Sequence, residues 1–168
     1  MCYSDAMENI FDTVVVRATG ISADHPLAGV LSGRGNIIEL TERSHDAALK
    51  PEPPGGLTHS ERAALACRVA RLNHEGKLAS HYESLLEAGD ASIADPSFNG
   101  ADNARLKAII RHTDLVTRSP KDAVAGDIAA LKTAGIPEAD IVRLSELIAF
   151  VNYQVRVVAG LRLMVAAS

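Results

Sequence analysis

"LTHSERAALACRVARLN" (residues 57–73) decides how this chain is read. Thr58 followed three residues later by Glu61 is a capping-box signature, in which each side chain satisfies a backbone N–H at a helix start, so the spacing predicts a helix over 59–72. Ala63, Ala66, Cys67 and Ala70 fall on one face of that helix, and all four are small. Small side chains let a second helix axis come close, which marks this helix as central in a bundle. Cys67 belongs to the packing face and reads as a small hydrophobe rather than a nucleophile.

Working outward, the pattern stays helical. The next stretch, "HEGKLASHYESLLEAG" (74–89), reads as a helix ended by Gly89 and the loop "DASIADPSFNG" (90–100). Leu106, Ile109, Ile110, Thr113 and Val116 form a helical stripe. Ser119-Pro120 reads as an N-cap and first helical residue of a segment closed by Gly135, and Pro137 opens the last helix. There Leu144, Leu147, Ile148, Val151, Val155 and Val158 share a face. Toward the N-terminus, residues 5–19 look helical, Pro26 opens a short helix, and 36–49 make another. "KPEPPGG" (50–56) then interrupts, because proline bars helix continuation. Val14-Val15-Val16 is the one β-branched run, and it sits inside a helix-like stretch. "GVLSGRGN" (29–36) has no preceding strand and no phosphate-loop lysine, so it reads as a helix-to-helix turn. The expectation is an all-α domain.

Composition narrows the function classes. The 168 residues, 47% of them hydrophobic, suffice for one domain with a real core. The net charge of −4 and the lack of a basic run argue against nucleic acid or an anionic membrane surface as partner. Tryptophan is absent and aromatics make up 4%, which disfavours base-stacking platforms. The start, Met1-Cys2-Tyr3-Ser4-Asp5, does not resemble an export signal. No apolar stretch is read as approaching the roughly 20 residues of a membrane span. Cys2 and Cys67 do not make a disulfide framework. The expected setting is cytoplasmic.

Within 71–83, His74, Glu75, His81 and Glu83 are residue types that bind metals or move protons. Zinc sites on one helix place ligands at i and i+4. His74 and His81 are seven apart, about 10.5 Å along a helix axis, too far for one ion without further ligands. His59 and His112 are other imidazoles, but no spacing ties them in. No metal and no cofactor are expected.

Together, residues 57–89 resemble the core of the alkylhydroperoxidase (AhpD-like)/carboxymuconolactone decarboxylase superfamily, where an alanine-rich helix ends in Leu-Asn before a reactive histidine helix. Leu72-Asn73 and His81 match. "LSELIAFVNYQVRVVAGLRL" (144–163) resembles the closing helix of the peroxidase-related branch, with Asn152, Tyr153, Arg156, Gly160 and Leu161 in place. The likeness covers roughly 55–165, with 1–50 as an N-terminal helical extension of a single domain spanning 1–168. It implies an AhpD-like bundle that forms a homo-oligomer (dimer, trimer or hexamer) with pockets where helices meet. Peroxide-reducing relatives carry Cys-x-x-Cys before the histidine. Glu75 and Leu78 stand at those positions here, and the family glutamate of the preceding helix aligns with Ala63. A thiolate is the reactive species of that chemistry, so the Cys-pair peroxidase mechanism is expected to fail.

The decarboxylase branch lacks the cysteine pair and ends in Leu-x-x-His, as Leu78-Ala79-Ser80-His81 does. Acid/base chemistry needs a positioned base and acid. The candidate catalytic residues are therefore His81, with Glu75 or His74 as partner, acting on a small organic acid. Glu75 lies six residues before His81, on another helix face, so the two converge only if Gly76 distorts the turn or another subunit contributes. Two other readings stand beside this one: a family-type alkyl hydroperoxide reductase, and a non-catalytic ligand-binding or assembly subunit. Asn152 and Arg156 read as structural, bonding helix ends or a neighbouring subunit.

Overall fold

The capping box at Thr58 is complete in both directions. Thr58 Oγ1 accepts from the Glu61 N–H (3.0 Å), and Glu61 Oε2 accepts from the Thr58 N–H (3.1 Å). In the computed structural model, which describes residues 9–167, the helix it starts is α4 (His59–Leu72), matching the expected limits. The others are α1 (Val14–Thr19), α2 (Ala28–Ser32), α3 (Gly35–Leu49), α5 (Gly76–Glu83), α6 (Ala104–Arg118), α7 (Ala125–Thr133) and α8 (Glu138–Ala166). Three short 3₁₀ turns accompany them, and there is no β-strand among the described residues. The chain is all-α.

The small-residue face behaves as its composition predicts. Ala63 to Ala70 are all buried, and α4 packs against α3, α5, α6 and α8. On α8 the stripe of Leu144, Leu147, Ile148, Val151, Val155 and Val158 is buried throughout. Two buried arginines on α4 fasten the loops to this centre. Arg68 forms a bidentate pair with Asp114 of α6 (2.5 and 2.7 Å) and donates to the carbonyls of Ile93, Asp95 and Pro96. Arg62 donates to the carbonyls of Ala48, Pro54 and Leu57. The loops at 50–57 and 91–98 thus have their carbonyls satisfied by guanidinium forks, whose planar donors suit such clamping.

Several boundaries differ from the sequence reading. Thr13 is extended (φ −65°, ψ 148°), so helix α1 starts only at Val14, and Glu42 of α3 caps it by accepting from the Val14 N–H (2.9 Å). Residues 5–8 of the expected helix lie outside the described residues. Helix α5 stops at Glu83, six residues before Gly89, where Ser84 Oγ bonds the His81 carbonyl. Pro120 opens only a 3₁₀ turn; α7 begins at Ala125, where Asp127 Oδ2 accepts from the Val124 N–H (2.9 Å).

The membrane-span expectation also needs correction. Helix α8 has 29 residues and an 18-residue window of mean hydropathy 1.3, so it is long and apolar enough to cross a bilayer by length and composition. Window averages hide what the face pattern shows. The same helix buries Asn152 and Gln154 beside its aliphatic residues and packs against α1, α3, α4, α6 and α7.

Candidate functional site

The stretch 71–83 is not one helix. Helix α4 ends at Leu72, His74 takes a left-handed backbone conformation (φ 58°), and α5 begins at Gly76. The break comes at Asn73 to Glu75, just before the Gly76 that sequence reasoning suspected. It is held in place by Asn73, whose Nδ2 donates to Val69 O (2.9 Å) and to Asn152 Oδ1 of α8 (3.2 Å). Asn152 therefore fastens the end of α4. Arg156 donates to the Asn152 carbonyl one turn back (2.7 Å).

The three candidate residues part company at this turn. His74 is exposed at the bend. Glu75 is buried and forms a bidentate ion pair with Arg162 of α8 (2.5 and 2.9 Å) while capping α5 through the Lys77 N–H (3.2 Å). Arg162 also donates to the Ala18 carbonyl of α1 (2.7 Å), so Glu75 lies at the junction of α1, α5 and α8. Neither His74 nor Glu75 lines the cleft that holds His81.

His81 has a different partner. Its Nε2 lies 3.1 Å from Nε2 of His45, a residue of α3 that sequence reasoning did not single out. His45 is buried, and its Nδ1 lies 3.1 Å from Asp46 Oδ1. Tyr82 stacks on the His45 ring (centroids 6.0 Å, 17° between planes), and Phe150 meets its edge. Tyr82 is buried and donates its hydroxyl proton to Gln154 Oε1, so the ring that fixes His45 is itself fixed from α8. The available signal for His45 was its position: Ile38, Thr41, His45 and Leu49 are the buried stripe of α3, and a histidine on such a stripe needs a polar partner.

With both rings neutral, one proton arrangement satisfies this chain. An ionised carboxylate can only accept, so His45 Nδ1 carries hydrogen and His45 Nε2 is left as acceptor. His81 Nε2 must then donate, which leaves the His81 Nδ1 lone pair free. That nitrogen has no protein partner among the described residues, and His81 lines an open cleft of about 390 Å³ with Val14, Arg17, Ala18, Lys77, Ser80 and Ser84. Burial, and then the nearby His45, Arg17 and Lys50, push the His81 pKa down from 6.5 to about 4, so the ring is neutral at pH 7.

Other sequence candidates fall elsewhere. His59 on α4 bonds the Pro51 carbonyl (3.1 Å), and His112 is buried on α6. Among the described residues no group of three or more His, Cys, Asp or Glu side chains converges as metal ligands would. Cys67 is fully buried, its thiol donates to the Ala79 carbonyl (3.4 Å), and burial raises its pKa. Leu78 is a core residue. Cys2 lies outside the described residues. Comparisons with protein-family models, with curated proteins and with solved structures find no match.

Proposed function

We propose that this chain is a divergent AhpD-like/carboxymuconolactone decarboxylase-type protein without the peroxidatic cysteine pair, and that its His81–His45 couple performs acid/base chemistry on a small organic acid. The observation that carries the reading is the 3.1 Å contact between the two Nε2 atoms at the wall of a cleft. His81 alone is a weak base, since its proton affinity is depressed. The couple is better. His81 Nδ1 takes a proton from the carbon next to the substrate's carbonyl or carboxyl group, and the Nε2 proton of His81 passes to His45 Nε2. The positive charge then rests on His45, whose Nδ1 lies 3.1 Å from Asp46 Oδ1. Running the steps backward returns the proton to a neighbouring carbon (isomerase-like). In a decarboxylase-like reaction no C–H proton is removed, and the couple, protonated beforehand from solvent, gives its proton to the carbanion left by loss of carbon dioxide.

Glu75 enters this proposal as a positioning residue, since its carboxylate is committed to Arg162. A panel of small lactone and keto acids, assayed for isomerisation or loss of carbon dioxide, tests the reading. His81→Ala should lower turnover by about 10²–10⁴-fold with the fold intact, the range that general acid–base groups supply. Hydroperoxide reduction that disappears on Cys67→Ser would instead support the alkyl hydroperoxide reductase reading. A bound ligand without turnover would support a binding subunit.

A homo-oligomer is part of the proposal. Between α3 and α8 runs a groove of about 390 Å³ lined by Ile37, Leu40, Thr41, Ser44, Ala149, Phe150 and Tyr153, without a charged side chain. Ile37 and Leu40 are each about half exposed, and a second copy would cover them.

A further inference from the structure

The lining of the His81 cleft is unbalanced in charge. Lys77, Ser80 and His81 of α5 and its C-cap Ser84 form an i, i+3, i+4, i+7 stripe, and Val14, Arg17 and Ala18 face them from α1. The two fully charged residues of the lining, Arg17 and Lys77, are both cations, on a chain whose net charge is −4. Neither side chain is held by a carboxylate among the described residues, although acidic groups lie close by in the fold. Glu75 is taken by Arg162, Glu83 by Arg71, Glu42 by the N–H of Val14, and Asp46 by His45. Several other cations of the fold are paired with carboxylates: Arg68 with Asp114, Arg105 with Glu61, Arg143 with Asp140. Two cations without a carboxylate partner among the described residues thus line one cleft, and an anion from solution would meet both positive charges there.

We propose that the cleft is a small-oxyanion site, in which the Arg17 guanidinium and the Lys77 ammonium clamp a carboxylate- or phosphate-type group, with the Ser80 hydroxyl as a further donor. The inference rests on reading this cleft as the substrate site, and it names the chemical handle by which substrate is held. Arg17 offers a planar fork suited to two oxygens, and Lys77 a compact point charge. The two arrive from separate helices, α1 and α5, whose junction the Glu75–Arg162–Ala18 link fixes. Around His81 the charged and titratable groups are Arg17 from α1, His45 with Asp46, and Lys50, from α3 and its end, Lys77 and Tyr82 from α5, and Glu42 of α3 beside Tyr82. Arg162 of α8 is already engaged. Burial first, and then His45, Arg17 and Lys50, keep His81 neutral. An anion between Arg17 and Lys77 offsets the Arg17 charge, and the His81 titration point rises when the site fills.

The test uses the full chain at low ionic strength, with histidine ring resonances followed by NMR while inorganic phosphate or acetate is added. Saturable, one-to-one shifts at His81 are expected, with its titration point moving up from about 4. Arg17→Gln and Lys77→Gln should each weaken binding by about tenfold or more, the effect of removing a charged hydrogen-bond donor. Both residues are exposed, so these variants should keep the parent's circular dichroism and Tm. Saturation by acetate as well as phosphate assigns a carboxylate ligand, and saturation by phosphate alone assigns a phosphorylated one. Absence of saturable shifts, or equal binding in Arg17→Gln, overturns the inference. Anion binding without turnover of any acid would leave this inference standing while removing the catalytic reading, and turnover indifferent to Arg17 and Lys77 would do the reverse.

Discussion

Each residue's environment selects the chemistry open to it. Cys67 has the element for peroxide chemistry but not the setting, because its sulfur is buried against the Ala79 carbonyl and burial favours the protonated thiol. In a Cys2→Ser background, a thiol reagent should label Cys67 only as fast as the chain unfolds; rapid labelling of the native protein would contradict this placement. His81 has the opposite character, being half-buried, neutral and open to a cleft. Its low titration point has a sign that can be checked. Between about 4 and 6.5 the unfolded chain binds a proton at this position and the folded chain does not. Its contribution to stability is therefore full above pH 6.5 and is lost progressively as pH falls toward 4. Denaturant unfolding across that window should show a shallower loss in His81→Asn than in the parent. His45→Asn should also move the His81 titration point upward, since His45 is one of the groups that depress it.

Among elements, the turn between α4 and α5 governs the site, and it was only partly legible in the sequence. The capping box, the small face of α4 and the α8 stripe followed from local pattern, and the structure has them at the expected residues. The end of α5 and the start of α7 did not, because a side chain from outside the assumed cap satisfied the backbone first. Glu75 shows the same limit. Its type and neighbourhood suggested an acid/base partner, but Arg162, 87 residues away, claims it. Glu75→Gln should therefore act on stability, lowering it by about 1–3 kcal/mol in denaturant titration, the cost of an unsatisfied charged partner. The pH profile of any turnover should keep its shape in that variant; a shifted profile would return Glu75 to the chemistry. Arg68→Ala, which leaves Asp114 and three loop carbonyls without their donor, should be more damaging, by about 3–5 kcal/mol.

At the level of the whole molecule, segments far apart in sequence meet at one cleft: Arg17 from α1 and His81 with Lys77 from α5 line it, and His45 of α3 lies buried against His81. The sequence pointed to His81 through a motif, but pairing across 36 residues depends on how α3 lies against α5 and α8, which no local pattern encodes. The N-terminal segment, read from sequence as an extension, supplies half of the cleft's charged lining and the imidazole that partners His81. The exposed groove between α3 and α8 makes its own prediction. Leu40→Glu should lower the native mass toward the 17.7 kDa of one chain in light scattering, whereas an unchanged mass would mean that the groove is not the contact between copies. The central claim concerns how protons are distributed over the histidine couple. Long-range ¹⁵N–¹H NMR of the imidazole rings at pH 7 reads it directly. The account predicts that His45 is protonated on Nδ1, that His81 is neutral and protonated on Nε2, and that Nδ1 of His81 is bare. A His81 ring protonated on Nδ1, or one that titrates near 6.5 like an unfolded histidine, would contradict it.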